Sequence, residues 1–295
     1  MENLDQEQHR TASLRAVEQE AIARVAARVE KGDFELPMLP SSSMVAIEMA
    51  ASPTVDVSHL VTLISTDPVL STELMKAANS VIYGGSYQAE TLSQAVVRVG
   101  TRTLRSLIYS LSVRGVIFRN RGLGSYAEEL WRQAYSVARI SQLIAEPLRL
   151  APEKCFLLGL LHDMGKISLL AMLGRECTST FRPAAHVVGR VFHEFHERAG
   201  VAMAREWKLP EEFISVSGCH HHFEQNPDFP RSAALVSLAH KLDLHLSLGE
   251  KGSEYQRLAR CPEMRFLGLA DHQRAALLES AEELFRFVPL ETARA

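Results

Sequence analysis

The chain has 295 residues, 46% of them apolar and 23% charged, a balance that excludes a disordered or fibrous polypeptide and suffices for one large or two small cored domains. Its formal charge is −3, so no global field draws it to nucleic acid or to an anionic bilayer. Four cysteines, Cys155, Cys177, Cys219 and Cys261, lie far apart with no C-x-x-C pair and read as reduced thiols.

The start, Met1-Glu-Asn-Leu-Asp, is polar and acidic. It lacks the basic and apolar regions of an export signal, which predicts a cytoplasmic protein. Over residues 11–30, Leu14, Val17, Ala21, Val25 and Val29 recur near helical spacing among Glu and Arg and predict an amphipathic helix. Gly32-Asp33 and the run Leu36-Pro-Met-Leu-Pro40 close it, placing a boundary after residue 32.

From Ser43 the pattern is helix after helix. Met44, Ile47 and Ala51 share a face until Pro53, and Ser58 is the expected cap of a helix carrying Leu60, Leu63 and Ile64. Asp67-Pro68 is a strong helix start, because the carboxylate satisfies a free N–H and proline has none to lose. Leu70, Leu74, Ala77 and Ala78 line the buried face that follows, and Asn79-Ser80 ends it before a Gly84-Gly85 loop flanked by Tyr83 and Tyr87. Thr91 or Ser93 caps the next helix, with Ala95, Val96 and Val99 inside and Gly100 at its end. Arg98, Arg102 and Arg105 fall at i, i+4 and i+7, with Arg114, Arg119 and Arg121 beyond. They form either a positive strip or a solvated face, and the absence of interleaved aromatic residues disfavours nucleic acid.

The stretch from Phe156 to Leu170 sets His162, Asp163 and Lys166 inside an apolar run. A buried carboxylate costs several kcal/mol unless it is paired or bound to a metal, so the pair is either a metal site or a hydrogen-bonded hub. These ionisable groups interrupt the apolar region Cys155–Leu173, which therefore reads as a buried helix and not a membrane span. The string His193-Glu-Phe-His196-Glu197 is not a zincin motif, since H-E-x-x-H requires histidine where Glu197 stands. In the run His220-His221-His222, successive helical positions diverge, so at most two rings share one site. After Pro230, Ala233, Leu235, Leu238, Leu242 and Leu246 form a stripe, and a last helix over about 271–287 presents Leu277, Leu278, Ala281, Leu284 and Phe285. No strand alternation, Walker loop or G-x-G-x-x-G occurs, and the expected fold is an all-α multi-helix bundle.

Motifs in a fixed order carry a resemblance. They are Leu36-Pro-x-Leu-Pro40, Ile64-x-x-Asp67-Pro68-x-Leu70, Ala78-Asn79-Ser80, Ala95-x-x-x-Val99-Gly100, Leu130-Trp131, Gly159-Leu-Leu-His162-Asp163-x-Gly165-Lys166, His196-x-x-x-Gly200-x-x-x-Ala204, Trp207-x-Leu209-Pro210 and His220-His221. Over about residues 36–222 the chain resembles the HDOD family, a divergent branch of the HD superfamily of helical metal-dependent phosphohydrolases. The resemblance implies an N-terminal helical segment (1–32), an HDOD domain (33–230) made of an N-terminal lobe (33–124) and an HD-like lobe (125–230), and C-terminal helices (231–295) packed on that lobe.

It also implies a signalling output or regulatory module with a partner protein, and with a small phosphorylated ligand as a further option; nucleic acid and membrane are not expected. The metal ligands it implies are His162, Asp163, His196, His220 and His221. Two positions depart from the pattern of catalytic relatives. Gln133, after Trp131, stands where those enzymes carry a histidine, and the last acid falls in Leu238-Ala-His240-Lys-Leu-Asp243, so that either His240 or Asp243 takes its place. Imidazole plus carboxylate suits Fe, Mn, Zn or Ni without choosing among them. Lys166 is a phosphate contact or a surface lysine. Two functions remain open: a non-catalytic module whose site can still hold a metal, and a metal-dependent phosphohydrolase acting on a nucleotide or another phosphoester.

Overall fold

The computed structural model describes residues 2–52, 54, 56–80, 87–119, 124–177, 182–249 and 257–294. Pro53, Tyr83, Gly84, Gly85 and Arg121, and the side chain of Leu14, lie outside the described residues. No strand occurs among the described residues, and the chain is all-α.

Helix α1 (Glu2–Glu30) buries Ala21, Val25 and Val29 against two later helices, α9 (Gly165–Glu176) and α10 (Ala185–Glu206). Ion pairs border this contact, with Arg24 at 2.7 Å from Glu176 and Arg198 on Glu30. The helix stops at Gly32, whose φ of +70° suits glycine. The extended linker after it is pinned where Trp207 Nε1 donates to Pro37 O at 2.9 Å. The amphipathic face therefore packs on the body of the protein.

Helices α2 (Ser41–Ala51), α3 (Val57–Ser65), α4 (Pro68–Ala78), α5 (Leu92–Val99) and α6 (Thr101–Ile117) form the first cluster. Their starts follow local chemistry. Asp67 accepts from the N–H groups of Val69 and Leu70, both at 3.0 Å, with Pro68 at the first helical position. Thr91 and Gln94 make a reciprocal capping box. One expectation is corrected: Asp56, not Ser58, caps α3, accepting from Ser58 N at 2.9 Å and His59 N at 3.1 Å. Asp56 still has extended backbone while Ser58 lies inside the first turn. The arginine strip is also corrected, because Gly100, at φ +78°, separates α5 from α6 and breaks the helical spacing. Arg98 bonds Ala78 O, Asn79 Oδ1 and Tyr87 O, and Arg114 lies over the Phe118 ring.

The second cluster contains α7 (Gly124–Ala145), α8 (Pro152–Leu161), α9, α10, α11 (Glu211–Cys219) and α12 (Pro230–Ser247). A short α13 (Pro262–Phe266) follows, and α14 (Asp271–Arg294) packs on α7 and α12, seven residues longer than its periodicity suggested. Gly159 lets α8 lie on α7, where any Cβ would meet Ser141 and the backbone of Val137 and Ala138 within 3 Å. The apolar stretch Pro152–Glu176 is long enough to cross a membrane, but 89% of its most apolar window is buried in the fold. It is not one helix, as the sequence suggested. It breaks at a turn over residues 162–164, and α9 restarts at Gly165, where a side chain would collide with the α10 backbone at His196 and Gly200. That close backbone approach holds the turn against α10, with Asp163 Oδ1 3.6 Å from His196 Nε2.

Candidate metal centre

Two helices and two turns deliver the site. His162 and Asp163 come from the α8–α9 turn, His196 from α10, His220 and His221 from just beyond α11, and His240 from α12. His162, His196 and His220 are held alike: Nδ1 of each faces a carbonyl three or four residues earlier, Gly159 O at 2.7 Å, Phe192 O at 2.7 Å and Val216 O at 3.2 Å. A carbonyl only accepts, so each Nδ1 carries a proton and each Nε2 is left to face inward.

Those Nε2 atoms surround one carboxylate. His162 Nε2 lies 3.1 Å from Asp163 Oδ2, and His196 and His220 Nε2 each lie 3.6 Å from Asp163 Oδ1. His240 Nδ1 is 3.2 Å from His162 Nε2, and His221 Nε2 is 3.1 Å from His196 Nε2. Asp163 Oδ1 and His220 Nε2 are buried without a hydrogen-bond partner. Both are acceptors, so water-free contact between them is repulsive and a cation relieves it.

Charge supports the same picture. Burial pushes the imidazoles of His196 and His220 down, the latter strongly, and takes His221 to about 4 and His240 to about 3. These four rings are neutral near pH 7 and offer lone pairs. Burial opposes ionisation of Asp163, but the adjoining His162 ring and the Lys166 ammonium outweigh it and hold the carboxyl well below its ordinary value. One anionic oxygen donor among neutral imidazoles is a fitting ligand set for a divalent transition ion. His162, Asp163, His220 and His240 form one group whose ligand atoms lie within 4.8 Å of one another, and His196, Glu197, His220 and His221 form another.

The structure decides which residues meet. All five expected metal candidates, His162, Asp163, His196, His220 and His221, come together. The consecutive histidines share the site because α11 ends at Cys219 and the chain bends through them, while His222 stays exposed. His240 sits at the cluster. Asp243 does not: it is fully buried against α7, where Arg132 Nη1 reaches its Oδ1 at 3.0 Å. Gln133 lies at the rim, its Oε1 accepting from Lys166 Nζ at 3.2 Å. Lys166 is not a free surface lysine, since its Nζ also lies 2.5 Å from Asp163 Oδ2. Sequence reasoning missed two residues. Glu197 was weighed only as the failure of a zincin motif, although its adjacency to His196 repeats that of Asp163 to His162. Arg132 gave no signal beyond its place beside Gln133.

The model of the HDOD domain matches residues 36–223. The chain belongs to the HDOD family. It is 28% identical over 216 residues to an uncharacterized protein of Treponema pallidum (strain Nichols), covering 70% of this chain and 41% of that relative. The chain thus spans about two fifths of the length of that curated relative. Among solved structures, an HDOD domain protein of unknown function from Geobacter sulfurreducens superposes with a TM-score of 0.70 at 24% identity, over 91% of this chain and 97% of that one. A Shewanella amazonensis SB2B protein, named provisionally as a metal-dependent phosphohydrolase, gives 0.66 at 18% identity, over 92% and 99%. These likenesses establish the helical fold shared by HDOD proteins.

Proposed function

We propose that this HDOD protein is a signalling output module built around a bound divalent transition metal, one of Fe, Mn, Zn or Ni, held without turnover. The observation that carries the metal is the pair of buried orphans, Asp163 Oδ1 and His220 Nε2, facing each other at 3.6 Å amid neutral imidazoles. His162, Asp163, His196, His220, His221 and His240 would hold it. Its role is to tie together helices that are distant in sequence, and so to stabilise one surface for a protein partner. Two features support the absence of turnover: Gln133 replaces an imidazole, and Asp243 is withdrawn into its pair with Arg132.

A second reading rests on Lys166. Its ammonium touches the carboxylate oxygen that a metal would claim, so loading the site would release it toward a phosphate group. A bound metal would supply an activated water to a phosphoester there. Elemental analysis of protein purified without chelator, followed by a panel of nucleotides and phosphodiesters with Mn or Fe, separates the readings. Stoichiometric metal without hydrolysis supports the module; turnover near one per second, at the low end of usual enzyme rates, establishes the hydrolase. A protein that takes up none of Fe, Mn, Zn or Ni overturns both.

A further inference from the structure

We infer that the face of α9 and α10 covered by α1 is the surface on which the partner protein docks, by way of an amphipathic helix patterned like α1. The inference deepens the output-module reading above and rests on it, without drawing on the metal.

Helix α1 ends at Glu30, ahead of the HDOD span that starts at residue 36, and lies on that domain as an appended piece. It runs parallel to α10 in one register: Glu18 pairs with His186 at 3.2 Å and Glu30 pairs with Arg198, each pair 168 residues apart. Between these two pairs Arg24 reaches Glu176 of α9 at 2.7 Å. Ala21, Val25 and Val29, spaced four residues apart, are buried beneath, with Ile22 and Ala26 half-buried beside them. The three buried side chains are short, so the groove they fill is shallow.

Contacts of this kind hold a helix loosely. Each of the three ion pairs has an exposed partner, and exposed pairs contribute little and are screened by salt. What keeps α1 seated is largely its attachment through residues 31–36, which gives it a high effective concentration on the face. A helix in trans with the same features competes for the seat. It needs small apolar side chains at i, i+4 and i+8, a carboxylate three residues before the first for His186, a basic side chain three residues after the first for Glu176, and a carboxylate just after the last for Arg198. The seat adjoins the metal centre, because Arg198, which also donates to Val29 O at 3.4 Å, stands two positions after His196. Helix α1 thus closes the surface until a partner helix displaces it.

The test is fluorescence anisotropy of a labelled peptide of residues 16–35 titrated with the full chain. Wild-type protein, its own α1 seated, should bind the peptide weakly, and Val25→Asp, which unseats α1, should bind it about tenfold or more tightly. Adding Arg198→Glu to Val25→Asp should abolish that gain, and a peptide carrying Glu30→Arg should restore it, a rescue that misfolding cannot produce. Glu30→Arg in the full chain, at an exposed position, repeats the comparison if Val25→Asp does not fold. No binding, equal affinity of wild type and the α1 variants, or indifference to Arg198→Glu overturns the inference. So does sedimentation showing a wild-type dimer that the peptide splits, since the face then belongs to a second copy of the chain. No readout involves metal or a phosphoester, so failure here leaves the proposed function to its own test.

Discussion

Arg132 grips both oxygens of Asp243, Nη1 at 3.0 Å from Oδ1 and Nη2 at 3.4 Å from Oδ2, with the carboxylate fully buried. The guanidinium also pairs with Glu129 at 2.8 Å and lies over the ring of Phe285 from α14. One residue thus ties α7 to α12 and α14. It does so one helical turn from His240 and immediately beside Gln133, so the clamp joins the two helices that carry those residues.

Removing the arginine should be costly. Arg132→Ala leaves the Asp243 carboxylate buried and unpaired, and stability measured by urea denaturation should fall by about 3–5 kcal/mol. Asp243→Asn should cost less and leave the metal content of the folded protein unchanged. Loss of metal in Asp243→Asn at unchanged stability would show that Asp243 is the ligand and His240 is not.

Metal and fold should be linked. The ligands meet only in the folded chain, so an ion at about a hundredfold over its dissociation constant adds roughly 2.7 kcal/mol, and chelator should lower the Tm measurably. His162→Ala should lose both the bound metal and most of the chelator response. Indifference of the wild-type Tm to chelator would make the cluster a hydrogen-bonded hub, in which Asp163→Ala still costs about 1–3 kcal/mol through unsatisfied buried partners.

The metal-free protein should weaken in mild acid. Burial holds His240 down to about 3 in the folded state, against an ordinary value near 6.5 in the unfolded chain. Below about pH 6.5 the unfolded chain binds a proton that the folded chain refuses. The stability contribution is therefore complete above that value and is lost as pH falls toward 3. The slope approaches about 1.4 kcal/mol per pH unit for this one ring; the more exposed His221 adds less. Urea midpoints of chelated protein at pH 7.5, 6.5 and 5.5 should decrease in that order, and a flat profile would contradict the buried neutral ring.

The helix starts allow a control far from the site. Asp67→Ala and Asp56→Ala should each cost about 1 kcal/mol as lost caps, while Ser58→Ala should be close to neutral. Denaturation midpoints check all three, and a larger loss for Ser58→Ala than for Asp56→Ala would reverse the assignment.

Helix starts, buried stripes and motif order depend on interactions within a few residues, and a sequence displays those directly. Asp67-Pro68, a cap at Thr91 or Ser93, the α12 stripe and the run of motifs from Leu36 to His221 were all legible for that reason, and they were enough for the all-α fold and the HDOD family. The same short-range reading misplaced the α3 cap by two residues and drew one helix through His162 and Asp163. At that break the α10 backbone meets Gly165 from some thirty residues away in sequence, a contact that no short-range pattern displays. That His240 and not Asp243 lies at the cluster likewise depends on distant packing, because Arg132, more than a hundred residues earlier, pairs with the acid. Glu197 became a candidate only when the bend after α11 brought His220 and His221 across to it. Which side chains share a few ångströms of buried space is a property of helix packing, and the desolvation that makes those side chains reactive exists only once the helices have packed.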